Sequence, residues 1–135
     1  EIGKGIKLIE GNDVTIVATG HLVWESIEAA NILNQSGISA EVINIHTIKP
    51  LDEKIILESV SKTKCIVSAE EHNYLGGLGE SISRVLTKND PVPQEFIATN
   101  DTFGESGTPA QLMEKYGLDA RSIINATKRV IARKK

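Results

Sequence analysis

The sequence predicts an α/β domain built on a five-stranded, mostly parallel sheet with one reversed edge strand. Three observations lead there. Apolar residues gather in short β-branched runs such as Val14-Thr15-Ile16-Val17, Val42-Ile43 and Ile66-Val67. Between the runs, apolar residues recur at helical spacing, the alternation expected of a parallel sheet. One pair of runs is joined by only a few residues, too few for the crossover that parallel neighbours need.

The first strand is read at Gly5 to Glu10 and the second at Val14 to Ala18, linked through Gly11-Asn12-Asp13, which predicts that these two form an antiparallel pair. Further strands are read at Ala40 to Ile45, Lys64 to Ala69 and Gln94 to Ala98, each reached through a helix and so parallel to the second. Val23, Ile27, Ala30 and Leu33 mark the inner face of the first helix, which Gly37 can close with a left-handed residue. Lys49-Pro50-Leu51 breaks the chain, and Asp52 caps a second helix with Ile55, Ile56, Ser59 and Val60 inward. A third helix follows Gly76-Gly77, with Leu78, Ile82, Val85 and Leu86 on one face. Thr108-Pro109-Ala110-Gln111 carries a capping hydroxyl, a proline at the first helical position and a glutamine three residues on, so a helix is expected from there to Gly117. The last helix starts at Asp119 and turns Ile123, Ala126, Thr127, Val130 and Ile131 inward.

A chain of 135 residues supports one core, with no room for a second. Fifteen Lys and Arg against eighteen Asp and Glu leave a net charge of −3, which gives no footing for nucleic acid. The basic tail Lys128, Arg129, Arg133, Lys134 and Lys135 suits the negative end of a terminal helix. One cysteine, Cys65, rules out an internal disulfide and is expected to be an inert core thiol. No apolar run is long enough to span a bilayer, and a soluble, cytoplasmic protein is expected. The chain opens Glu1-Ile2-Gly3-Lys4 without methionine, as a piece of a longer protein or a processed chain would.

In an open parallel sheet, ligands bind beyond the carboxyl ends of the strands, so chemistry is sought in the loops that follow them. These are Thr19-Gly20-His21, the stretch from Glu70 to Gly79, and Asn100 to Gly107. The second is the richest, because Glu71, His72 and Asn73 stand before a glycine-rich helix start whose N–H groups can take an anion. Glu71 and His72 can be read as a proton-transfer pair or as groups that fasten loop to loop or subunit to subunit, and the second reading is adopted. Gly76, Gly77 and Gly79 fail the G-x-G-x-x-G spacing at Ile82 and are read as helix entry. His21 can meet an anion or cap its helix. His46 shares no metal-ligand spacing with the other two histidines, and Ser106 stands in no nucleophile elbow. Trp24 can be a partner contact, although an aromatic that anchors its helix is the commoner case.

The series Val17-Ala18-Thr19-Gly20, Val42-Ile43-Asn44, Thr47-Ile48-Lys49-Pro50-Leu51-Asp52 and Glu70-Glu71-His72-Asn73 with Gly76-Gly77-Leu78-Gly79 resembles the carboxyl-terminal domain of the transketolase family over nearly the whole chain. Transketolases share that domain with 1-deoxyxylulose-5-phosphate synthases and 2-oxoacid dehydrogenase β subunits. Phe103-Gly104-Glu105-Ser106-Gly107, then Leu112 and Lys115-Tyr116-Gly117-Leu118, is more similar to the transketolase ending, and the split, two-polypeptide form is the one expected.

The resemblance implies a three-layer α/β/α sandwich with the first strand antiparallel. It implies a parent transferase that moves a two-carbon ketol unit between sugar phosphates with thiamine diphosphate and Mg. Both would be held by diphosphate-binding and pyrimidine-binding domains, which become the partners of this chain in a homo- or hetero-oligomer. No catalytic, cofactor or metal residue is expected here, and His21, Glu71, His72, Asn73, Gly76 and Gly77 are the candidate interface or anion contacts. The competing readings are one of the two sister enzymes as parent, or a freestanding module that binds an anionic metabolite.

Overall fold

A computed structural model describes residues 3–71, 77–98 and 119–134. Its strands are β1 (Ile6–Ile9), β2 (Val14–Ala18), β3 (Ala40–Asn44), β4 (Ile66–Ala69) and β5 (Gln94–Ile97). Its helices are α1 (Leu22–Gln35), α2 (Glu53–Thr63), α3 (Leu78–Asn89) and α4 (Ala120–Ala132). The strands lie in the order β1-β3-β2-β4-β5, with β1 antiparallel to β3 and the others parallel.

The direction of β1 is as predicted, but its neighbour is not. β1 pairs with β3 instead of forming a hairpin with β2. All five residues of β2 are buried, and β2 takes a parallel neighbour on each edge, which sends the half-exposed β1 to the rim. The turn after β1 crosses the start of β3 to achieve this. Gly11 passes so close that a Cβ there would lie 2.2 Å from the Ala40 carbonyl carbon. Asp13 N–H donates to Ser39 O at 2.8 Å, and Ser39 N–H donates back to the Asp13 carboxylate at 2.7 Å.

Alternation along the strands divides the core between two helix layers. Val14, Ile16, Ala18, Val42 and Val67 pack against Leu22, Ala29 and Leu33 of α1 and Ile123, Ala126 and Val130 of α4. Val17, Ile43 and Ile66 pack against Ile56 and Val60 of α2 and Leu78, Ile82 and Leu86 of α3. The result is the three-layer sandwich expected from the resemblance. Ile27, Ile55 and Ile131 sit half-buried at the margins of their stripes.

Helix ends follow their sequence signals. Gly37 adopts φ +89° and closes α1, with Ile38 N–H donating to Leu33 O at 2.9 Å and Gly37 N–H to Asn34 O at 3.1 Å. Asp52 caps α2 through Ile55 N–H and with its other oxygen accepts from Gly5 N–H at 2.9 Å. Asp119 caps α4 through Ser122 N–H at 2.9 Å. Two of the tail cations reach the edge strand, Arg129 to Glu95 at 3.1 Å and Arg133 to Glu95 at 2.7 Å. The helix expected over Thr108 to Gly117 lies outside the described residues.

Candidate functional site

From β2 the chain turns through α1 to β3 on one side, and from β3 it returns through α2 to β4 on the other. The reversal opens a crevice at the carboxyl ends of β2 and β4, where an open α/β sheet ordinarily takes its ligand. Ala18 stands opposite Ala69, so Thr19-Gly20-His21 and Glu70-Glu71 emerge side by side, tied by Thr19 N–H donating to Ala69 O at 3.2 Å.

One wall of this crevice is the amino end of α3, and its donors are already in use. Glu70 continues the line of β4, with its N–H donating to Ile97 O at 2.8 Å, and its carboxylate is turned inward at 2% exposure. Leu78 N–H donates to one carboxylate oxygen at 2.8 Å and Gly79 N–H to the other at 2.7 Å. The chain's own carboxylate therefore occupies the place an anion would take at a helix start. Gly79 is needed for packing, since a Cβ there would lie 2.5 Å from Phe96 Cδ2 and 2.8 Å from Ser68 Oγ. Gln94 secures the same corner, accepting from Ser83 Oγ at 2.8 Å and donating to Gly79 O at 3.0 Å.

The other wall is the amino end of α1. Gly20 turns with φ +57°, and Leu22, Val23 and Trp24 N–H groups fold back onto the carbonyls of Thr19, Gly20 and His21, each at 3.2 Å. The His21 side chain is exposed and makes no capping hydrogen bond. Both helix starts beside the crevice thus spend their first donors within the chain.

Among the other candidates, Glu71 is half-buried next to Glu70, and Gly77 is the residue preceding α3, with extended backbone. His72, Asn73, Gly76 and Ser106 lie outside the described residues. His46 is exposed, its Nε2 3.4 Å from the Asn44 side-chain amide. Cys65 is fully buried, and burial pushes its thiol up to about 11. Trp24 does not anchor α1, being 70% exposed. No cluster of three or more His, Cys, Asp or Glu able to hold a metal occurs among the described residues.

Two acidic residues escaped the sequence reading. Glu41 of β3 is buried at the far end of the sheet, where the Lys62 ammonium stands at 2.6 Å and Gly11 N–H donates at 3.1 Å. Burial alone would raise its carboxyl, but the hydrogen bonds from Lys62 and Gly11 and the lysine charge outweigh it and hold the group below the usual carboxylate range. A lone charge inside the run Ala40-Glu41-Val42-Ile43 was the available signal. Glu25 of α1 accepts from Ala120 N–H at 3.0 Å, a cap on α4 across 95 residues that no local pattern announces.

Residues 3–123 match the family described as Transketolase, C-terminal domain. The chain belongs to that family. This transketolase C-terminal domain is 46% identical over 133 residues to the 6-deoxy-6-sulfo-D-fructose transketolase subunit SqwH of Clostridium sp. (strain MSTE9), a match covering 98% of the chain and 41% of the relative. It is 36% identical to the 1-deoxy-D-xylulose-5-phosphate synthase of Halothermothrix orenii, covering 96% of the chain and 21% of that enzyme. A solved structure described as a split gene transketolase, inactive β4 tetramer, superposes with a TM-score of 0.95 at 43% identity, over all of this chain and 44% of that one. The domain thus spans less than half the length of the relatives it matches, among which are both split transketolase subunits and deoxyxylulose-phosphate synthases.

Proposed function

We propose that this chain is the non-catalytic C-terminal domain of a thiamine diphosphate-dependent transketolase of the split kind, whose parent enzyme moves a two-carbon ketol unit from a ketose phosphate to an aldose phosphate. The observation that carries the reading is the pair of closed helix starts. A diphosphate needs free N–H donors or cations, and the crevice offers Leu78 and Gly79 already bound to Glu70, and Leu22 to Trp24 already bound to the turn before them. The described residues therefore do not fit thiamine diphosphate, and they form no cluster of three or more His, Cys, Asp or Glu for its Mg; in this reading both are held by the diphosphate-binding and pyrimidine-binding domains of the assembly. A transketolase parent is supported over a deoxyxylulose-phosphate synthase by the identities to SqwH and to a putative transketolase C-terminal section, 46% and 44%, against 36–40% for the synthases.

In this reading the domain supports an oligomer of the same enzyme, with His21, Glu71, His72, Asn73, Gly76 and Gly77 as the candidate contacts to its neighbours. The test is calorimetry of the chain with thiamine diphosphate and Mg, expected to give no binding heat, followed by addition of the missing domains, expected to restore cofactor binding and ketol transfer. Turnover of a ketose phosphate by the chain alone would overturn the proposal.

A further inference from the structure

β1 and α2 are tied to each other at both ends, each time through a carboxylate. Where β1 begins, Asp52 accepts from Gly5 N–H at 2.9 Å with one oxygen and from Ile55 N–H of α2 at 3.3 Å with the other. Where β1 ends, Glu41 accepts from Gly11 N–H at 3.1 Å and from the Lys62 ammonium of α2 at 2.6 Å, with the Lys7 ammonium of β1 at 3.9 Å. Gly5 also comes close to the helix, since a Cβ there would lie 3.1 Å from Ile55 Cγ2. Strand and helix are thus held between two clips, one near each end of α2.

Elsewhere their attachment is thin. β1 has β3 as its single neighbour, a register shift between Lys7 and Ile9, and three exposed residues out of four. Of the four residues that α2 buries, Ile56 and Val60 are aliphatic, while Ser59 and Thr63 carry hydroxyls. Both hydroxyls meet Thr15 of β2, whose Oγ1 lies 2.5 Å from Ser59 Oγ and 2.7 Å from Thr63 Oγ1. A hydroxyl hydrogen bond adds less net stability than a buried aliphatic side chain. By contrast, α1 buries Leu22, Val23 and Leu33 together with Ala29 and Ala30.

We infer that β1 and α2 form one cooperative unit, clipped by Asp52 and Glu41, which opens as a whole while the α1/α4 side of the domain stays closed. Glu41 is the stronger pin, because opening its clip parts a buried carboxylate from its ammonium. Once either clip parts, strand and helix lose the alignment that the other clip needs, so the two ends release together. Opening bares the edge of β3 and uncovers Leu78, Ile82 and Leu86 of α3, on which Ile56 and Val60 pack. β2 and β4 meanwhile keep their parallel neighbours, so the centre of the sheet survives the change.

The test is native-state amide exchange of the whole chain, followed by NMR in rising sub-denaturing urea. The amides of Gly5, Gly11 and Val60 are expected to share one opening free energy and one urea slope, both smaller than those of Val17 and Val67 in the central strands. Lys62→Met removes the ammonium at one end only, and is expected to speed exchange at Gly5 and Gly11 by the same factor, at least about tenfold. Reciprocally, Asp52→Ala is expected to speed exchange at Gly11 about threefold or more, although that residue lies at the opposite end of β1. If Lys62→Met speeds Gly11 and leaves Gly5 unchanged, the ends open independently and the inference fails. Separate slopes for Gly5, Gly11 and Val60 overturn it as local openings, and a Val60 slope equal to that of Val17 overturns it because α2 then opens only with the whole domain. The urea comparison uses the unaltered chain, so it decides the matter even if Lys62→Met does not fold.

Discussion

The Glu70 carboxylate grips the backbone of Gly79 at 2.7 Å and of Leu78 at 2.8 Å, bridging the two ends of the intervening loop. The residue just beyond β4 and the first turn of α3 are joined by one buried side chain. The same contact takes up the donors a phosphate would seek at this helix start, so a single residue both secures the fold and closes the amino end of α3.

Glu70→Gln tests that bridge. The amide keeps one acceptor but points an N–H2 at an N–H donor, and the charge that suits a helix start is lost. A loss of about 2 kcal/mol is expected in chemical denaturation, and about 3 kcal/mol for Glu70→Ala, which leaves two buried donors unmet. A loss under 0.5 kcal/mol for both would mean the carboxylate is not what closes α3.

Glu41 contributes to the acid limb of stability. Its folded carboxyl lies below the unfolded value, so its contribution is present above the unfolded value, about 4.3, and is lost as pH falls through the folded one. Glu41→Gln is therefore expected to flatten the decline of stability below about pH 4. Lys62→Met should cost about 3 kcal/mol at neutral pH by leaving a buried carboxylate without its ammonium. With burial then dominant, the same decline should vanish in Lys62→Met. A parallel decline in all three proteins would dissociate Glu41 from acid sensitivity.

Much of this fold was legible because its signals are local. The stripe Leu78, Ile82, Leu86, the Asp52 and Asp119 caps and the Gly37 stop each lie within a few residues of what they organise. The neighbour of β1 was not, since Gly11-Asn12-Asp13 suits a hairpin as well as a crossing, and the choice depends on Ala40 and Ser39 far along the chain. The candidate site was legible only in outline. Loop composition located the crevice, yet whether α3 is open or closed depends on where the Glu70 side chain turns, and Glu70 and Glu71 are indistinguishable as letters.

Trp24 makes the chain its own reporter. It is the single tryptophan and is 70% exposed, so native and unfolded emission spectra should nearly coincide. Trp24→Ala should change stability by less than about 0.5 kcal/mol. A large red shift on unfolding would place the indole in a buried site instead.

Cys65 supplies the sharpest kinetic measurement. At 0% exposure, with a thiol pushed to about 11, it holds only about one part in a thousand as thiolate at pH 8, against about a quarter for an unperturbed thiol near 8.5. Because only the thiolate attacks a disulfide reagent, native labelling should be at least about a hundredfold slower than labelling in denaturant, before any steric protection is counted. Burial then makes the residual native rate a measure of opening, so it should rise in Glu70→Gln only as far as global stability falls. If Cys65 labelled as fast in the native chain as in the unfolded one, the entry to β4 could not lie within the α1/α4 core.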